Sequence, residues 1–184
     1  LRAHPEVAGG IERMVFMGGS AGAGNATAVA EFNVWHDPEA TAIALAACGE
    51  YGIPVTMYGL DVFGSVTVDG SQAAGLRGLP DPAAQLAGNL IDTQRELFGG
   101  HAVTIGDAGA VCAVIDPDGL GTLRYPVRVE LGEGYARGQT IVDRRDWVGD
   151  LAADPHGAPA TPVDVALQVD AARYARLWLS AFDA

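Results

Sequence analysis

Short apolar runs that stop on glycine, alternating with alanine- and leucine-rich stretches opened by Asp-Pro, constrain this chain more than any other feature. Arg13 to Met17 (RMVFM) ends at Gly18-Gly19 and reads as a buried strand feeding a loop, GSAGAGNAT. Asp37-Pro38 supplies an N-cap and a first-turn proline for a helix, EATAIALAACGEYG, that closes at Gly49 or Gly52. Pro54 to Leu60 is the next strand by its β-branched content. Asp81-Pro82 opens a second helix, on which Leu86, Leu90 and Leu97 fall near one face. HAVTI is a third strand-like piece, and AGAVCAVID after it is a short helix for which Asp107 is a candidate cap. YPVRVEL and QTIVD read as a hairpin turning through GEGYARG, followed by a last strand, VDVALQV, and an amphipathic helix, DAARYARLWLSAF. Such alternation predicts an α/β fold with a mainly parallel sheet flanked by helices and a small antiparallel hairpin near the C-terminus. No linker composition divides the 184 residues, so one domain is expected.

Charge narrows the partners. Eleven basic against 23 acidic residues leave a net charge of −12, which repels phosphate backbones and gives no footing on anionic lipid. Neither nucleic acid nor a membrane is an expected partner. All the basic residues are arginine, so a Schiff-base lysine and a P-loop lysine are both excluded. Cys48 and Cys112 lie far apart in apolar surroundings and read as buried small hydrophobes. With no signal peptide or long apolar span in the sequence, a soluble cytoplasmic protein is the expectation.

In open parallel sheets ligands gather beyond the carboxyl ends of the strands, which directs attention to the loops after Met17, Leu60 and Ile105. The first is long and carries Asn25, Glu31 and Asn33 within nine residues. One carboxylate and two carboxamides are the inventory needed to grip a polyol such as a sugar. Spacing alone slightly favours a plain loop, with Asn25 in a left-handed turn, Glu31 in solvent and Asn33 capping locally. GGSAGAGNAT lacks the G-x-G-x-x-G of a dinucleotide site, and no G-x-S-x-G is present. His4, His36, His101 and His156 show no metal-ligand spacing, and Trp35, Trp147 and Trp178 read as packing residues.

The ordered string FMGG, GN, AEFN, DPEA, TMYGLDV, GDAGAVCAVIDPD, RGQTIVD and VDVALQVD resembles the nucleoside hydrolases, the inosine-uridine preferring nucleoside N-ribohydrolases. The resemblance implies a Rossmann-like α/β sheet and a calcium-dependent enzyme that cleaves the N-glycosidic bond of purine or pyrimidine ribonucleosides in salvage. It also implies assembly as a homodimer or homotetramer. Under it the Met17 backbone, Asn25, Glu31 and Asn33 hold the ribose hydroxyls, and Asp107 closes the calcium site as well as contacting substrate.

Two departures accompany the match. The family's aspartate cluster, DxDxxxDD, supplies the water-activating base and most calcium ligands, and it is absent here, so no catalytic residue is assigned. The matching motifs belong to the family's C-terminal portion. The expectation is therefore that residues 1–184 form the C-terminal part of a single nucleoside hydrolase domain, with an uncovered sheet edge and no activity alone. Gly106 stands where many members carry a histidine that protonates the leaving base, and glycine cannot donate that proton. A noncatalytic ribose- or nucleoside-binding module is the alternative.

Overall fold

The computed structural model describes residues 1–146 and 160–182; Trp147 and His156 lie outside them. In chain order, β1 (Met14–Met17) is followed by α1 (Phe32–His36), α2 (Pro38–Tyr51), β2 (Val55–Tyr58), α3 (Leu60–Phe63) and β3 (Thr67–Asp69). Then come α4 (Gly70–Gly78), α5 (Pro82–Phe98), β4 (Ala102–Thr104), α6 (Ala108–Ile115), β5 (Leu120–Val129), β6 (Thr140–Val142), β7 (Thr161–Val169) and α7 (Ala171–Ser180). These elements fall into two compact units, Leu1–Asp61 with Thr122–Leu167, and Val62–Gly121 with Gln168–Ala184.

The first unit is built on a five-stranded mixed sheet in the order β1-β2-β7-β5-β6. β1 runs parallel to β2, Met14 opposite Val55 and Met17 opposite Tyr58, and β2 runs parallel to β7 with Met57 opposite Val165. β5 and β6 form the expected antiparallel hairpin, with Val127 opposite Val142 and Val129 opposite Thr140. Among the described residues β1 is an edge strand, paired only with β2. Local signals account for α2: Asp37 accepts the Ala40 amide, Pro38 occupies the first turn, and Gly52 ends the helix in the left-handed conformation at φ 67°. Leu45 and Cys48 of α2 pack with Val55, Met57, Val127, Val163 and Val165 into the core of this unit.

In the second unit β3, α4, α5 and β4 follow one another, and two expectations change. HAVTI does not extend the parallel sheet; β4 pairs antiparallel with β3, Thr67 opposite Thr104 and Asp69 opposite Ala102. Two successive helices lie between the strands, and that second reversal of direction returns the chain antiparallel, where a single helix would return it parallel. The leucines of α5 are the other change. Leu86, Leu90 and Leu97 are exposed, and Ala84, Gly88 and Ile91 are buried. A Cβ on Gly88 would lie 2.6 Å from the Ala73 carbonyl oxygen, so α4 approaches too closely for large side chains and selects the small-residue face. Trp178, Leu179 and Phe182 join Val68, Leu76 and Ile91 in this unit's core, which makes Trp178 the packing residue expected of it. Both cysteines are buried thiols, as anticipated, and burial raises the pKa of each.

Candidate functional site

The loop after β1 is organised around Glu31. Its carboxylate is 2% exposed and carries no ion pair among the described residues, but it is not unsatisfied. Oε2 accepts the Gly19 amide at 2.9 Å and the Val34 amide at 3.1 Å, while Oε1 accepts the Asn33 amide at 2.9 Å. Glu31 thereby caps α1 and draws the start of the loop onto its end. The plain-loop alternative, with Glu31 in solvent, does not describe this residue. Nor is Asn25 left-handed: every positive-φ residue described is a glycine. Asn25 Oδ1 accepts the Phe32 amide at 2.9 Å instead.

Asn33 completes the group. Its Nδ2 donates to the Met17 carbonyl oxygen at 3.2 Å and lies the same distance from Met17 Sδ. Met17, Asn25, Glu31 and Asn33 are therefore linked through one backbone segment. The Asn25 amide nitrogen and the Asn33 carbonyl oxygen remain without partners among the described residues, on exposed side chains. Glu31 Oε1, with one bond, retains acceptor capacity. These are one donor and two acceptors, the chemistry that hydroxyl groups require. Beside them a cavity of about 290 Å³ is lined by Met14, Phe16, Met17 and Asn33.

The glycine-rich stretch before Glu31 is tightly tied. Gly19 adopts φ 72°, its carbonyl accepts the Leu60 amide at 3.0 Å, and the Ala21 amide donates to Asp61 Oδ2 at 2.8 Å. The Ser20 amide donates to Thr140 Oγ1 at 2.9 Å, and that hydroxyl donates back to the Ser20 carbonyl at 2.7 Å. Neither Asp61 nor Thr140 stood out in the sequence, although both lie in motifs that carry the resemblance. Phe32 was also missed. It is 51% exposed, next to Glu31 in sequence, and its ring meets His36 edge-on at 4.4 Å. Trp35, expected to be packing, is 44% exposed, and its ring also meets His36 edge-on at 5.5 Å.

Asp107 belongs to the second unit. It occupies the N-cap position of α6 but its carboxylate makes no capping bond, which corrects the cap reading; its backbone is already helical, so the side chain points away from the first-turn amides. The carboxylate is exposed and makes no hydrogen bond or ion pair among the described residues. Gly106 before it has φ 59°, a conformation that a side chain strains. Calcium requires six to eight oxygen ligands. No group of three or more His, Cys, Asp or Glu residues among the described residues can hold a metal, so these residues alone do not fit a complete calcium site.

The edge strand of an α/β sheet thus ends in a loop that carries exposed carboxamides over a buried carboxylate. The family model described as inosine-uridine preferring nucleoside hydrolase matches residues 1–176, and the chain belongs to that family. It is 34% identical over 157 residues to the pyrimidine-specific ribonucleoside hydrolase RihA of Shewanella woodyi, covering 83% of this chain and 49% of that protein. Among solved structures, the purine-preferring ribonucleoside hydrolase from Gardnerella vaginalis superposes with a TM-score of 0.78 at 29% identity, covering 99% of this chain and 55% of the other. An inosine-guanosine nucleoside hydrolase shares the fold with a TM-score of 0.80 at 24% identity, covering 100% and 57%. The chain thus spans about half the length of the curated relatives it matches. Among the described residues, no helix is long and apolar enough to cross a membrane.

Proposed function

We propose that this chain supplies the ribose-holding part of an enzyme that hydrolyses the N-glycosidic bond of a ribonucleoside, with water and nucleoside giving free base and ribose. The buried Glu31, fixed by three backbone amides beside the partly unsatisfied carboxamides of Asn25 and Asn33, carries this reading. Ribose hydroxyls would bond to the Asn25 amide, the Asn33 carbonyl, the Met17 carbonyl and Glu31 Oε1, and Phe32 offers an aromatic face to the base. As the base departs, positive charge builds on the sugar, and a carboxylate held immobile nearby stabilises that state more than the ground state. A calcium ion, when bound, would orient the diol and the attacking water. Asp107 is proposed as one of its oxygen ligands and as a substrate contact. The rest of the donor set is not supplied by the described residues, so the chain by itself is expected to be inactive. The family match also supports reading residues 1–184 as part of a single nucleoside hydrolase domain in a cytoplasmic homo-oligomer, with calcium as cofactor and nucleoside salvage as role.

Release of ribose from inosine, uridine and cytidine by the intact, calcium-supplemented protein tests the proposal. No release from any of the three overturns it. A noncatalytic nucleoside-binding module is the second reading, favoured by the left-handed glycine at position 106, which offers no proton to a leaving base. Saturable binding of inosine without turnover would establish that reading instead.

A further inference from the structure

We propose that Thr140 is a positioning residue for the ribose-holding loop, its hydroxyl fixing Ser20, the residue that follows the Gly19 amide bonded to Glu31; this rests on the reading of the loop given above. The hydroxyl uses both of its capacities on one residue 120 positions away, accepting from Ser20 N at 2.9 Å and donating to Ser20 O at 2.7 Å. Thr140 and Ser20 are both buried, so water does not compete for these bonds. The clamp holds the nitrogen of the Gly19–Ser20 peptide, whose carbonyl oxygen accepts the Leu60 amide at 3.0 Å, and the preceding peptide carries the Gly19 amide that lies on Glu31 Oε2. The methyl group closes the same position sterically. A Cβ on Gly19 would lie 2.8 Å from Thr140 Cγ2 and 2.8 Å from Met57 Sδ, so only glycine, at φ 72°, passes between them.

Thr140 in turn is held in register by the β5–β6 hairpin, opposite Val129. The turn of that hairpin is fastened to the site's own helices. Arg137 makes a two-pronged bond to Glu39 of α2 at 2.6 and 2.9 Å, and a Cβ on Gly138 would lie 2.8 Å from Trp35 Cα of α1. The hairpin therefore meets the loop at Ser20, α1 at Trp35 and α2 at Glu39. Removing the hydroxyl leaves the Gly19–Ser20 peptide held only at its carbonyl, by Leu60, which loosens the neighbouring Gly19 amide, one of the three donors that orient the Glu31 carboxylate.

Thr140→Val and Thr140→Ser in the intact protein separate this role from plain packing, because valine keeps the shape without the hydroxyl and serine keeps the hydroxyl without the methyl. Amide hydrogen exchange at Gly19 should quicken at least about tenfold in T140V, with Phe16 and Met57 of the β1–β2 ladder unaffected. KM for the hydrolysed nucleoside should rise about tenfold with kcat within a few-fold. T140S should restore both, even though loss of a buried methyl lowers its melting temperature. If T140V does not fold, T140S alone still decides: quickened exchange at Gly19 in a variant that retains the hydroxyl overturns the proposal. So does unchanged exchange at Gly19 in T140V. Quickened exchange with KM unmoved upholds the clamp and overturns instead the assignment of ribose binding to this loop.

Discussion

Replacing Glu31 by glutamine removes one charge and leaves the shape of the side chain unchanged, and the structure sets the size of the effect. The carboxylate accepts three backbone amides, two on Oε2 and one on Oε1. A glutamine carbonyl can take over only one of these oxygens. Placed at the Oε2 position it keeps Gly19 and Val34, now as neutral bonds that each lose about 1 kcal/mol relative to bonds made to a charged acceptor. Its NH2 then faces the Asn33 amide, donor against donor, at a residue 2% exposed, and leaving that amide unsatisfied costs about 1–3 kcal/mol. Turning the amide over sacrifices two bonds to keep one and is worse. The expected loss is about 3–5 kcal/mol. It should be read by urea unfolding as a lowered midpoint at unchanged slope. The same substitution at Glu12, whose side chain is 89% exposed, should leave the midpoint unmoved. A loss below about 0.5 kcal/mol in E31Q would refute the view that this carboxylate organises the loop.

Three further outcomes follow from other parts of the chain. Gly106→Ala should destabilise by about 1–2 kcal/mol, because alanine is strained at φ 59° and its Cβ would meet the Phe63 ring at 3.3 Å; chemical denaturation of the variant measures it. On α5, Ile91→Ala should cost about 2–4 kcal/mol while Leu97→Ala, at a residue 72% exposed, stays within about 0.5 kcal/mol, and equal losses would show the leucine face to be the buried one. Asp143 is held down to about 2 by its hydrogen bonds to the Arg145 side chain and backbone. Its pKa lies below the ordinary carboxylate value, so the stability it contributes is present above about pH 3.9 and is lost as pH falls through about 2. Carboxyl-carbon NMR should follow that titration, and Arg145→Ala should return it toward 3.8.

What could be read from the sequence divides by the distance over which a residue acts. Asp37-Pro38 and Asp81-Pro82 open α2 and α5, and Gly52 closes α2, because a cap is decided by amides two or three residues away. The same kind of signal stood at Asp69 and Gln72, a reciprocal capping box that opens α4, in a stretch where the sequence reading recognised no helix. Facing directions were not legible. Leucine spacing on α5 marks an apolar stripe, but which stripe is buried depends on how closely α4 approaches, and a glycine and two alanines permit that approach where leucines do not.

The candidate site divides in the same way. Met17, Asn25, Glu31 and Asn33 could be found together because one strand, one loop and one helix start bring them together within a short length of chain. The burial of Glu31 was not foreseeable from those residues, since in sequence it is only a carboxylate before a short helix. The segment that donates to it is fixed by a strand and a hairpin from elsewhere: Gly19 is pressed between Met57 and Thr140, and Ser20 is clamped by a hydroxyl 120 residues away. A loop whose carboxamides are exposed does not also supply the bonds that keep its first residues still. That support comes from distant chain, so the groups proposed to hold the ribose are legible as a local motif and the groups that hold them in place are legible only in the folded structure.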